Sequence, residues 1–182
     1  MAACCVLASL ILSATVGGYL DGPVMKRTVV RSLAPNFGEV AEGVFRSGQA
    51  TPPFLGWTWK IYRFRTVINL AWSGRPTDLA EERFLSEHGV TYRKFSWSPD
   101  GPPDATEMRA ALDAVDHGAR PVLIHCRAGR DRTGGLVGYW RISHGCSLAQ
   151  VEQDWLSFGT PSPGWQRALE EDSRRPFAAH EP

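Results

Sequence analysis

Two hydrophobic periods alternate along the chain. Short β-branched or apolar runs predict strands, and stretches with an apolar residue every three or four positions predict helices. The piece EVAEGVFRSG predicts two short strands around a turn at Glu42-Gly43. Pro52 and Pro53 open a helix to about Tyr62, because proline is tolerated in a first helical turn. Its Phe54, Trp57 and Tyr62 suit a core or a membrane-facing side. TVINLA, residues 66–71, reads as a buried strand from its β-branched content. Asp78 with Glu81 forms a capping-box pattern for a helix that stops at Gly89, and VTYRKFSW, from Val90, reads as the next strand. Asp104 with Glu107 repeats the pattern, opening a helix through Met108, Leu112 and Val115 that ends near Gly118. Pro121 starts the strand Val122 to His125. After Arg132, TGGLVGYWRIS predicts a helix ending at Gly145. Ser147 with Gln150 caps one more helix, with Val151, Trp155 and Phe158 on its inner face. Strands and helices in alternation predict an α/β domain, its mainly parallel central sheet flanked by helices on both faces.

The N-terminus follows neither period. Residues 2–20 carry no charge, and as a helix would span roughly 28 Å, near the thickness of a bilayer core. An N-terminal apolar helix that anchors the chain in a membrane is expected, or a signal segment. Lys26, Arg27 and Arg31 follow it, which by the positive-inside rule puts the downstream domain in the cytoplasm. A cleaved signal would instead make the domain periplasmic or secreted, but a basic region before the apolar run is missing. The expected organisation is an anchor or signal segment over 1–21, a linker over 22–35, one domain over 36–175 and a tail over 176–182.

Composition narrows the function classes. A chain of 182 residues with a formal net charge of +1 offers no global case for nucleic acid, so any anion site must be built locally. Cys126 and Cys146 stand apart from each other and from Cys4 and Cys5, which excludes a disulfide framework. The histidine and cysteine spacings fit no zinc pattern, so no metal is expected.

The local anion site is VLIHCRAGRDRTGG, residues 122–135. In α/β folds ligands sit beyond the carboxyl ends of the strands, where Cys126 falls. The turn after it leads into a helix N-terminus, whose free N–H groups and dipole favour an anion. Gly129 supplies a backbone conformation other residues resist. Successive N–H groups from Arg127 through Ala128, Gly129, Arg130, Asp131 and Arg132 would form an anion nest. Arg132 is far enough along to fold back over the loop, with a planar fork that holds two phosphate oxygens. The same positive field lowers the pKa of the Cys126 thiol. A thiolate beside a bound phosphate is an in-line nucleophile, and Thr133 is placed to donate its hydroxyl to the sulfur. His125 is expected to be buried and to support the loop. TGGLVG is no dinucleotide fingerprint, because no strand directly precedes it, and its glycines are expected to let the helix pack close to the sheet.

HCRAGRDRT resembles the signature of the cysteine-based protein tyrosine phosphatase superfamily. His125, Cys126, Gly129, Arg132 and Thr133 occupy its fixed positions. The continuation Thr133-Gly134, with GVFRSGQ and TVINL upstream, resembles the dual-specificity branch, in particular its small bacterial members. The resemblance covers roughly residues 36–158. It implies a phosphate monoester hydrolase with a phosphocysteine intermediate and no cofactor, in which an Asp first protonates the leaving oxygen and then activates water. Asp100 and Asp104 lie 26 and 22 residues before Cys126 in SWSPDGPPDATE. Asp104 is already explained as a helix cap, whereas Asp100 sits on a Pro- and Gly-flanked loop suited to a movable acid. Asp100 is the preferred acid and Asp104 the alternative. Asp131, inside the loop, is a third candidate, but beside Arg132 it is expected to orient the loop or the attacking water. Arg127 and Arg130 are the variable positions. A basic residue at 130 followed by Asp131 resembles members that accept phosphoinositides. The expected substrate is a phosphorylated protein, with a phosphoinositide or inositol phosphate as the alternative. A module that binds phosphate without cleaving it would typically lack the Cys, the Arg or the acid, and all three are present.

Overall fold

A computed structural model describes residues 34–50 and 52–174. The elements in chain order are β1 (Gly38–Ala41), β2 (Val44–Gly48), α1 (Pro52–Tyr62), β3 (Thr66–Asn69), α2 (Pro76–Glu87), β4 (Thr91–Lys94), α3 (Ala105–His117), β5 (Val122–Cys126), α4 (Asp131–Ser143), α5 (Leu148–Phe158) and α6 (Pro163–Ser173). The sheet order is β1-β2-β5-β3-β4. β1 pairs with β2 antiparallel across the Glu42-Gly43 turn, and the other pairings are parallel. The mixed α/β sheet flanked by helices agrees with expectation. Among the described residues no helix is long and apolar enough to cross a membrane. The expected N-terminal helix, with its membrane contact through residues 2–20, lies outside the described residues.

β5 is the central strand, buried along its whole length between β2 and β3. Successive side chains on a strand point to opposite faces. Val122, Ile124 and Cys126 accordingly join the cluster under α3–α6, with Val44, Ile68, Leu112, Leu136 and Trp165. Leu123 joins the other cluster, with Phe45, Leu55, Phe64, Val67 and Leu85 under α1 and α2. Pairing aligns Gly48 with Cys126 and Asn69 with His125, so the carboxyl ends of three strands meet at one edge. The pleat then turns the polar residues near that edge apart: Arg46 and Cys126 share one face, Asn69 and His125 the other.

Four expectations need correction. Helix α2 starts before Asp78: its N-cap is Arg75, and Pro76 takes the first helical position. Asp78 is the third helical residue, and its Oδ2 accepts from the N–H of Ser73 and of Arg75 at 3.1 and 3.2 Å. Glu81 is therefore no partner in the cap. The strand expected over 66–71 ends at Asn69, whose Oδ1 accepts from Ala71 N–H at 2.8 Å and turns the chain. Gly135 and Gly138 of α4 face α5 and α6 instead of the sheet, while Gly134 lies against Pro161 and the Arg46 side chain of β2. A Cβ at Gly135 would overlap the ring of Trp165, which is itself fully buried. Finally, α6 is not among the predicted helices. Its residues are mainly polar, and only Trp165 and Leu169, one turn apart, are buried. The Ser147–Gln150 capping box forms as expected, and Asp104 caps α3, though without the expected return bond from the Glu107 side chain.

Candidate active site

The site is built at the carboxyl end of β5. Cys126 is 1% exposed, and the loop that follows it runs into the first turn of α4. The N-cap, Arg130, makes no side-chain capping bond, so the first-turn N–H groups stay open. What shapes the loop is donors from the N-terminal part of the domain. Gln49 N–H donates to the Arg127 carbonyl at 3.0 Å, Asn36 Nδ2 to that of Ala128 at 2.9 Å, and Arg46 Nη2 to that of Gly129 at 2.6 Å. Three successive carbonyls are held outward, which leaves the amides for the concave side. Among the described residues no acceptor takes the N–H of Arg127, Ala128, Arg130, Asp131 or Arg132. That of Gly129 donates to Cys126 Sγ at 3.2 Å. Gly129 has φ +70, and a Cβ there would strike the backbone of Ser47 and Gly48, so both conformation and space require glycine.

Burial alone would push the Cys126 thiol up. Hydrogen bonds from the Thr133 hydroxyl and N–H, the charge of Arg132 and the Gly129 N–H outweigh it and hold the thiol below its usual range. The Thr133 hydroxyl is buried and has no partner of standard geometry besides, which leaves it for the sulfur. Arg132 is partly buried. Its Nη1 donates to the Trp97 carbonyl at 3.1 Å, and its Nε is a buried donor without an acceptor. A phosphate on the loop would supply that acceptor.

Arg132 also touches the loop that carries Asp100, since Trp97 lies three residues before it. The Pro99 carbonyl on that loop accepts from Ser162 Oγ at 2.7 Å, just before α6. Asp100 is exposed, with Ser98 Oγ 3.4 Å from its Oδ2. Asp104 is turned toward α3, where its Oδ1 accepts from the N–H of Thr106 and of Glu107, both at 2.9 Å. Asp131 is buried and pairs with the exposed Arg130 through both oxygens, at 3.2 and 3.3 Å. Arg127 is exposed at the rim.

Several residues at the site were not singled out in sequence. Arg46 is completely buried. It supports the Gly129 carbonyl and lies over the Phe158 ring at 4.5 Å. Burial lowers its pKa to about 10, against the opposing pull of Cys126 and Asp154. Gln49 donates its side-chain amide to Asp78 at 2.8 Å, tying the loop's neighbour to α2. On the opposite face of the sheet, Glu81, Asn69 and Tyr92 gather around His125. The only signal for Arg46 was its place in GVFRSGQ. Glu81 carried no signal, because the cap it was assigned to explained it.

Comparison with known proteins agrees with this geometry. Residues 32–171 match the tyrosine phosphatase family (Y_phosphatase2). The chain is 32% identical over 136 residues to inositol diphosphatase DSP1 of Oryza sativa subsp. japonica, covering 68% of this chain and 56% of the relative. It is 30% identical over 155 residues to the putative tyrosine-protein phosphatase OCA1 of Yarrowia lipolytica, covering 80% and 58%. The chain thus spans little more than half the length of these two curated relatives. The core catalytic domain of the PP-IP phosphatase SIW14 from S. cerevisiae has the same fold, with a TM-score of 0.67 at 24% identity over 75% of this chain and 85% of that one. With the HCRAGRDRT loop at the end of the central strand and a family match over most of its length, the chain belongs to the tyrosine phosphatase family, within the cysteine-based protein tyrosine phosphatase superfamily.

Proposed function

We propose that the protein is a cysteine-dependent phosphate monoester hydrolase. The observation that carries the reading is the buried Cys126 sulfur held below its usual pKa at the centre of a loop whose carbonyls are pinned outward. The Cys126 thiolate attacks phosphorus and the ester P–O bond breaks. Asp100 gives its proton to the leaving oxygen. Water then attacks the phosphocysteine, Asp100 takes a proton from it, and phosphate departs as the thiolate re-forms. The loop amides and Arg132 bind the equatorial oxygens while charge shifts among them. Asp100 is favoured as the acid because its loop bears on Arg132 through Trp97, while Asp104 is committed to its cap.

Phosphorylated proteins, on tyrosine or with dual specificity, are the first substrate reading. A second is favoured by one feature of the rim. Arg127 and Arg130 are both exposed there, and Asp131 fixes the direction of Arg130. Two exposed cations, one of them held in direction, suit a polyphosphorylated inositol, and several curated relatives are named inositol diphosphatases. The uncharged residues 2–20 support a membrane-bound enzyme with a cytoplasmic domain, which fractionation and protease protection would test. In reductant the full chain is expected to hydrolyse p-nitrophenyl phosphate, and Cys126→Ser is expected to abolish turnover. Folded protein without turnover would overturn the hydrolase reading. A panel of phosphopeptides, phosphoinositides and inositol phosphates then decides the substrate class.

A further inference from the structure

The polar cluster under the sheet has no role in the chemistry above. His125 is 1% exposed, directly precedes Cys126, and points to the opposite face. Its Nε2 lies 3.1 Å from Glu81 Oε1, off the axis of an ideal hydrogen bond but well within ion-pair range. The other oxygen of Glu81 is fully used. Tyr92 Oη donates to Oε2 at 2.7 Å and Asn69 Nδ2 donates to it at 3.2 Å. Asn69 Nδ2 also reaches Tyr92 Oη at 2.9 Å, and Asn69 Oδ1 is taken by Ala71 N–H. The carboxylate is therefore held by β3 and β4 so that its free oxygen faces β5. The groups facing Glu81 are His125 from β5, Tyr92 from β4 and Asn69 from β3, with Asp78 one turn earlier on its own helix.

We propose that Glu81 is a positioning residue for the reaction: fixed by Tyr92 and Asn69, it keeps the His125 ring an imidazolium under Cys126 and thereby helps keep the sulfur ionised. This rests on Cys126 being the nucleophile.

A buried imidazole without a partner would be neutral, because desolvation penalises the charged form. In this protein desolvation is overcome by Glu81, through its charge and its close approach to Nε2, and further by Cys126, so the ring is held above its ordinary pKa. The Cys126 contribution is reciprocal. A thiolate that favours the charged ring is favoured by it to the same degree. Cys126 thus receives positive field from two sides: Arg132, Arg46 and the loop amides on its own face, and His125 through the strand.

The test uses the full chain in reductant. Iodoacetamide alkylates the thiolate, so its rate against pH reports ionisation of Cys126 without any turnover. Glu81→Gln keeps the shape and removes the charge, and His125 should then become neutral. On the acid limb of the profile, below the midpoint of the unaltered protein, alkylation is expected to slow about tenfold, with the whole profile moved about one unit to higher pH. The acid limb of kcat/KM should move with it, while KM at the pH optimum stays unchanged. Tyr92→Phe should shift both profiles the same way by less. An unchanged or downward-shifted alkylation profile in folded Glu81→Gln overturns the proposal. Should that variant not fold, nitrogen NMR of histidine in the unaltered protein decides. The His125 ring is expected to be an imidazolium at pH 7.5, and a neutral ring there overturns the proposal. Failure of the hydrolase reading looks different: no turnover of p-nitrophenyl phosphate, with the alkylation shift intact.

Discussion

Burial sorts the arginines around Cys126 by task. Arg46 is completely enclosed and donates to the Gly129 carbonyl, so it shapes the loop. Arg132 is partly enclosed, with one donor on Trp97 and another buried without an acceptor. Arg127 and Arg130 face solvent and can meet only what lies beyond the bound phosphate. The two upstream aspartates separate on the same grounds. Asp104 completes two backbone bonds of α3, whereas Asp100 bonds only within its own loop. Asp100→Asn should lower kcat about a hundredfold on esters with poor leaving groups and much less on p-nitrophenyl phosphate, and flatten the alkaline limb of the pH profile. Asp104→Asn, an equally good cap, should leave both readouts and the Tm nearly unchanged. The reverse pattern in steady-state kinetics would exchange the two roles.

At the scale of elements, α4 joins site and core. Its first turn presents amides to the loop, and its middle carries glycines against the neighbouring helices. Glycine in a helix interior costs about 1 kcal/mol relative to alanine, so close packing must offset it. At Gly135 the offset is Trp165, whose buried ring occupies the space a Cβ would need. The ring cannot retreat without opening the contact of α6 with α4. Gly135→Ala should therefore gain helix propensity and still lose about 2 kcal/mol net, lowering Tm by roughly 8 °C in thermal unfolding. An unchanged or raised Tm would mean that α6 yields more easily than its burial implies. Because Ser162, beside α6, also holds the Pro99 carbonyl, loosening α6 should raise the mobility of the Asp100 loop as well.

For the whole molecule, α2 docks on the sheet through two buried carboxylates as well as Leu85. Burial would raise the Asp78 carboxyl, but hydrogen bonds from Gln49, Arg75 and Ser73 bring it below its ordinary value. A depressed carboxyl contributes stability that is fully present above the unfolded value of ~3.9 and is lost as pH falls through the folded one. Asp78→Asn should cost about 2 kcal/mol at pH 7 and less in acid, the gap from the unaltered protein narrowing as pH falls below ~3.9. Denaturant unfolding at pH 7 and in acid would check this, and a gap independent of pH would assign the loss to shape instead of charge.

What could be read from the chain alone follows from where the chemistry is contiguous. His125, Cys126, the amides of 127–132, Arg132 and Thr133 lie in nine consecutive residues, so one strand, one turn and one helix start suffice to assemble them. The periods of 2 and 3.6 likewise marked the strands and most helices, because each depends only on near neighbours. The parts supplied from a distance were hidden. Arg46 reaches Gly129 across 83 positions, and Asn36 reaches Ala128 across 92. Glu81 reads as a cap because its partner His125 lies far along the chain, on β5, and α6 shows little helical period because only Trp165 and Leu169 of its residues are buried. The sequence by itself determined the loop after Cys126 and the α/β class. The tertiary structure alone decided which side chains hold that loop and charge the ring beneath it, because only strand pairing and the alternation of the pleat bring Arg46 to one face of β5 and Glu81 to the other.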